Sequence, residues 1–211
     1  MREKLKIFGT RLLQFVFHPL LVVCYAAIIV IECNVFPFAF VEFSIKRLVL
    51  FSFMLLLFIF PMLFIIVLNK QNYITSYSNF SNRDLKIVLT MISFSYLSTY
   101  WLLKTIEAPA ILSMIPMVAM ANIAGMAIIN QKIKVDTYTL ALSGLCTYFV
   151  FASTTYNSNL LTAITTTILA LGIVNYTFIE QETSCLKSAL TSCVAGIAIT
   201  GISIFFYSIT K

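Results

Sequence analysis

Histidine is almost missing from this chain: among 211 residues there is one, His18. That scarcity excludes chemistry that needs two imidazoles, such as a His–His phosphoryl relay or a multi-histidine metal centre. Charge is scarce as well. Asp, Glu, Lys and Arg make up 10% of the chain, against about 25% in a soluble domain. The five cysteines, Cys24, Cys33, Cys146, Cys185 and Cys193, are odd in number and show no CxxC or Cys/His spacing. Zinc, haem and iron–sulfur ligation and a disulfide framework are therefore not expected, and no cofactor or metal is assigned. The fourteen basic residues exceed the eight acidic ones, but they are scattered and form no basic stripe, so no nucleic-acid partner is expected.

What the chain has in their place is apolar surface: 60% of its residues are hydrophobic and its mean hydropathy is +0.97. A soluble core of this size cannot hide that much, so lipid must cover the remainder. Runs near the roughly 20 residues needed to cross a bilayer occur at 12–32, 46–68, 85–103, 109–129, 138–156, 159–179 and 187–209. The expected fold class is all-α: a polytopic transmembrane bundle of about seven helices, forming one integral membrane domain over residues 1–211. Helix is required because backbone polar groups in lipid must be satisfied within the segment. The basic N-terminus (Arg2, Lys4, Lys6, Arg11) precedes an apolar run from Leu12 to Ile31. That run exceeds the roughly 7–15 residues of a cleaved signal, so it reads as a retained first helix. Pro19, Pro61 and Pro116 fall inside spans and predict kinks.

Sidedness follows from the basic residues. Seven spans put Arg2, Lys4, Lys6, Arg11, Lys70, Arg83, Lys86, Lys132, Lys134 and Lys187 on one side, and Lys46, Arg47, Lys104 and Lys211 on the other. Ten against four predicts a cytoplasmic N-terminus and an outward C-terminus. Ala121 and Gly125, and again Ser192 and Gly196, repeat small residues at four-residue spacing, as helix-packing positions do. Span centres hold almost no charge, which disfavours a channel or ion pump. Thr162, Thr165, Thr166 and Thr167 are expected to bond back to their own helix, and Asn122 and Asn175 to bridge helices. His18 is expected to serve a helix end.

The polar residues gather in three loops that seven spans place on one side: Asn82 to Lys86, Lys132 to Asp136, and Glu180 to Ser188. With His18-Pro19-Leu20-Leu21 opening the first span, Pro61 interrupting the second and Arg83 before the third, the layout resembles short bacterial members of the type 2 phosphatidic acid phosphatase superfamily. The likeness covers most of the chain in architecture. The family's Lys-Ile-Ser-Ala-His motif with its Gly-Gly-Leu end falls on Lys134 to Tyr138, ending Ser143-Gly144-Leu145. Its Ser-Arg, five residues, then His, with a glycine eight positions on, falls on Gln181-Glu182, Ser188 and Gly196.

In that family one histidine takes the phosphoryl group, another protonates the leaving group, and Lys and Arg hold the phosphate oxygens. Carried onto this chain, the acid is Tyr138, the nucleophile is Ser188 and the arginine clamp is Glu182. Arg83 and Lys134 remain, beside Asp136. Losing one member of such a unit commonly costs on the order of 10⁴ to 10⁶ in rate. The resemblance therefore implies a vestigial phosphate pocket (Arg83, Lys134, Asp136, Tyr138, Glu182, Ser188) with no catalytic residue. It implies an inactive, accessory or lipid-scaffolding protein of the bacterial inner membrane, whose partners are membrane lipids and protein subunits bound through its helices. Two rival expectations are an enzyme with a rebuilt site around Asp136, Glu182 and Ser188, and a small transporter or flippase with a polar path through Asn122, Asn130 or the sixth span.

Overall fold

The computed structural model describes residues 9, 12–36, 38–71, 82–130, 135–180 and 185–209, with the backbone alone at 82, 83, 85 and 86. Every regular element within them is helical. The long helices are α1 (Pro19–Glu32), α2 (Phe43–Lys70), α3 (Asn82–Thr105), α4 (Ala110–Ile129), α5 (Thr137–Thr155), α6 (Leu161–Glu180) and α7 (Leu186–Ile209). Five of these contain a stretch long and apolar enough to cross a membrane: α2, the Ile87–Thr105 part of α3, α4, α6 and α7. Their outward faces carry large apolar side chains such as Trp101, Leu169, Val194 and Phe205. Water would reject such a surface and lipid would accept it. The chain is thus a helical bundle compatible with a multi-pass membrane protein.

The two exceptions have different causes. Helix α1 has 14 residues, about 21 Å at 1.5 Å per residue. The sequence predicts one continuous helix over 12–32, but the chain breaks at Phe17–His18. Proline at 19 drives the preceding residue out of the helical region, and His18 accordingly sits at φ −56°, ψ 132°. The break is mended locally. Tyr25 donates its hydroxyl to the Val16 carbonyl at 2.9 Å, and His18 Nδ1 accepts from the Leu20 N–H at a long 3.4 Å.

Helix α5 has 19 residues, so it falls short in apolarity and not in length. It is the central helix, packed against α1, α4, α6 and α7, and half of its face is small or hydroxylated. Because protein surrounds it, α5 does not need the apolar coat its neighbours present to lipid.

Pro61 acts one turn upstream of itself. Residues Leu55–Ile59 form a π turn within α2. A residue at 61 with an N–H would have bonded the carbonyl of Leu56, five positions back, and proline cannot. The buried Ser95 of α3 donates to that carbonyl at 2.6 Å. A freed backbone group inside the bundle is thereby satisfied by a neighbouring helix.

At the end of the bundle away from His18, α1, α3 and α5 finish in left-handed residues: Asn34 (φ 51°), Glu107 (φ 53°) and Asn157 (φ 49°). The next N–H in each case reaches back into the last turn, Val35 to Val30, Ala108 to Leu103 and Ser158 to Ser153, at 2.9–3.2 Å. These are Schellman-type endings, which satisfy orphan carbonyls and turn the chain back sharply.

The small residues singled out in the sequence lie at helix crossings to different degrees. A Cβ added to Gly196 of α7 would meet the Leu140 carbonyl of α5 at 2.5 Å and collide with Ser143 Oγ. One on Gly125 would run into the side chain of Ile199. Ser192 is wholly buried, whereas Ala121 is only partly so. Thr165, Thr166 and Thr167 each donate to a carbonyl four residues earlier in α6.

Candidate functional site: an apolar cavity with a polar mouth

Helices α1 to α5 line a partly open cavity of about 380 Å³. Its walls are chiefly aliphatic, including Val22 and Ala26 of α1, Ile65 of α2, Ile92 of α3, Val118 of α4 and Leu145 of α5. Its polar contributions are few: His18, Thr137 and Tyr138 where α1 and α5 begin, Asn122 of α4, and the tyrosines Tyr96 and Tyr148. The Tyr148 hydroxyl is already committed, donating to the Ile111 carbonyl at 2.7 Å.

The mouth is organised by aromatic edges. The rings of His18 and Tyr138 meet edge-to-face, centroids 6.4 Å apart and planes at 88°. Tyr138 stands in the same relation to Phe178 of α6, at 5.2 Å and 85°. Such pairs contribute about 0.5–1.5 kcal/mol each beyond the area they bury. The position that the phosphatase likeness assigns to an acid is thus a packing tyrosine that ties α1 to α5 and α6.

Asp136 caps α5. Its Oδ1 accepts from the Tyr138 N–H at 3.3 Å and its Oδ2 from the Thr139 hydroxyl. The Thr139 oxygen also lies against the side-chain amide of Asn175 on α6. A hydroxyl has one proton, so Thr139 donates to the carboxylate and is served by the amide when Asn175 turns its NH₂ inward. The Asp136 N–H donates to Ser192 Oγ at 2.7 Å, and that hydroxyl donates to the Ser188 carbonyl at 2.7 Å. The chain of bonds fastens the start of α5 to the first turns of α7.

The six expected pocket positions therefore divide. Asp136 and the backbone carbonyl of Ser188 come together in that tie through the Ser192 hydroxyl, and Tyr138 lies beside His18. Asp136 and Ser188 are not among the cavity-lining residues. Ser188 is 4% exposed and has a further interaction of its own. Arg83 lies in the first turn of α3, where only its backbone is described, and Lys134 and Glu182 lie outside the described residues. Among the described residues no group of His, Cys, Asp and Glu is arranged to hold a metal ion.

Asn122 has a second role besides bridging helices. Its Nδ2 donates to the Val118 carbonyl at 3.1 Å and to Thr200 Oγ1 of α7 at 2.9 Å. Gly144 of α5 makes room for this bridge, since a Cβ there would lie 2.9 Å from Thr200 Oγ1 and 3.0 Å from Asn122 Nδ2. Asn122 also lines the cavity, and its buried Oδ1 accepts no hydrogen bond among the described residues. One polar residue in an otherwise apolar stretch of α4 was the available sequence signal. That it faces a cavity depends on five helices at once.

Comparison with known proteins returned no matching family model, no matching curated protein and no matching solved structure.

Proposed function

We propose that this chain is a seven-span protein of the bacterial inner membrane, of phosphatase-like build but without phosphatase chemistry, acting as a lipid-binding scaffold or accessory subunit. The observation that carries this reading is the character of the cavity. Phosphoryl transfer needs preorganised cations and donors where charge develops. The described lining residues include no Lys or Arg, and Tyr138 is engaged in ring packing. Asp136 caps a helix, and Ser188, 4% exposed, gives its backbone carbonyl to the tie between α5 and α7. An apolar hollow among helices suits a lipid chain better than a phosphate.

Purified protein in vesicles is expected to release no phosphate above background from phosphatidic acid or isoprenoid diphosphates. Turnover that disappears in Ser188→Ala would overturn the reading.

The proposed topology has its own test. Cys33 at the end of α1 and Cys185 just before α7 are both free and exposed. With a cytoplasmic N-terminus and seven spans they lie on opposite sides. In single-cysteine variants, a membrane-impermeant maleimide added to intact cells should label Cys33 alone and reach Cys185 only after permeabilisation. The reverse pattern, or equal labelling, rejects the topology.

A further inference from the structure

Resting on the lipid-binding reading, we propose that the cavity lined by α1–α5 takes one uncharged, single-chain lipid whose carbonyl oxygen accepts a hydrogen bond from the Tyr96 hydroxyl. Tyr96 is 1% exposed, and its hydroxyl makes no hydrogen bond among the described residues. The other buried hydroxyls of α3 are served: Ser95 donates to the Leu56 carbonyl and Thr99 to the Ser95 carbonyl. Nor is the Tyr96 oxygen shut in. Among the described residues, Asn122 Oδ1 is the one buried, unpartnered side-chain oxygen that is sealed from contact. The small accessible part of Tyr96 therefore includes its hydroxyl, and the space it meets is the cavity that Tyr96 lines.

Depth and shape define the occupant. Tyr96 is the middle residue of the Ile87–Thr105 stretch of α3, and it is the lining residue of that helix farthest from the His18 end. At mid-membrane neither bulk water nor a head-group layer supplies a partner, and a buried hydroxyl left unmade is costly. An apolar molecule must therefore bring the partner with it. Along α5 the cavity runs from Thr137 to Tyr148, about 16 Å at 1.5 Å per residue. Its volume of about 380 Å³ is near the lower end of the roughly 300–1,000 Å³ typical of ligand pockets. Both suit one hydrocarbon chain rather than two. A phenol has one proton to give. A carbonyl takes it and brings no donor of its own, whereas an alcohol brings a second proton that needs its own acceptor. An ionised carboxylate is disfavoured, because the described lining holds no Lys or Arg to offset its charge. Water fits less well, because it requires two to four polar partners, and the lining one turn from Tyr96 is Ile92. Entry is through the side of the bundle: Ile66 of α2 lines the cavity and is 48% exposed.

The test uses the full chain reconstituted in phosphatidylcholine vesicles and three twelve-carbon probes. Each carries a terminal diazirine, and they are a mid-chain ketone, the corresponding alcohol and the plain alkane. Photolabelling is mapped by peptide mass spectrometry. The ketone is expected to label peptides of α1, α3, α4 and α5 saturably. The alkane should label them about tenfold less, the scale of one net hydrogen bond, and the alcohol less than the ketone. Tyr96→Phe, which removes the hydroxyl alone, should bring ketone labelling down to that of the alkane. With an isotope-labelled carbonyl, the bound ketone should absorb in the infrared at a lower frequency than ketone free in the bilayer, and Tyr96→Phe should remove that shift. Ala119→Phe, which fills the cavity, should abolish labelling by all three.

Ketone labelling no stronger than that of the alkane or the alcohol overturns the Tyr96 inference, as does a carbonyl frequency that Tyr96→Phe leaves unmoved. If saturable labelling is still lost in Ala119→Phe, the lipid-binding reading stands. No saturable labelling by any probe overturns both. The comparison of probes is made on the unmodified chain, so it is decisive even where a variant fails to fold.

Discussion

Replacing Gly196 with leucine is expected to lower the stability of the bundle by about 2–3 kcal/mol, toward the upper end of what overpacking a tight contact usually costs. The reason is geometric. The atoms facing Gly196 include the Leu140 carbonyl oxygen and the Gly144 nitrogen, which belong to the backbone of α5 and cannot swing aside as a side-chain tip can. Either α5 and α7 separate or one of them bends, and the tie between Asp136 and Ser192 lies a turn away. Gly196→Ala should act in the same direction with a smaller effect. Gly172 and Gly201 provide the control, because a Cβ added at either meets nothing within 4 Å. Leucine there should be neutral or slightly stabilising through helix propensity. Thermal unfolding of the purified protein in detergent measures all four variants. An unchanged midpoint for Gly196→Leu would show that α5 and α7 do not meet closely at this point.

The second large effect is expected at Asp136. Its carboxylate accepts from the Tyr138 N–H and the Thr139 hydroxyl at the start of the helix that packs against α1, α4, α6 and α7. Removing an N-cap costs about 0.5–2 kcal/mol, and the loss of a charge-assisted bond from buried Thr139 adds to it. Asp136→Ala should therefore destabilise by about 2 kcal/mol. Asp136→Asn should recover most of that, since asparagine caps about as well as aspartate. The pair also separates two roles for this residue: a cap tolerates the amide, whereas a general base does not. Thermal midpoints of Asp136→Ala and Asp136→Asn that fall together would reject the capping role.

Much of the helical layout could be read directly from the sequence. A segment that faces lipid must be apolar for about 20 residues, so the expected segments at 46–68, 109–129 and 187–209 lie within a few residues of Phe43–Lys70, Ala110–Ile129 and Leu186–Ile209. The departures occur where a local rule outweighs composition. At His18–Pro19 the run stays apolar while the backbone breaks, because proline restricts the residue before it. At Leu55–Ile59 a proline two residues downstream changes the hydrogen-bonding period without ending the helix.

The site was less legible. The spacing of Ser192 and Gly196 marked them for helix packing, but nothing local named α5 as the partner of that face. His18 lies 120 residues from Tyr138 in sequence and only a ring's width away in the fold. The pairing of Asn122 with Thr200 across Gly144 joins three helices, and only tertiary packing reveals it.

The polarity of α5 bears on how the protein comes to exist in the membrane at all. A segment's own apolarity governs how readily it leaves the insertion machinery for lipid, and α5 is not among the five helices whose composition is sufficient. The turn after it is tight, with α6 beginning at Leu161. Helix α5 therefore depends for its place in the bundle on α1, α4, α6 and α7, which pack against it. Assembly of the bundle is in this sense collective, since a helix that falls short in apolarity lies at its centre. A defect at the α5–α7 contact is expected to lower the yield of folded chain before it alters anything else.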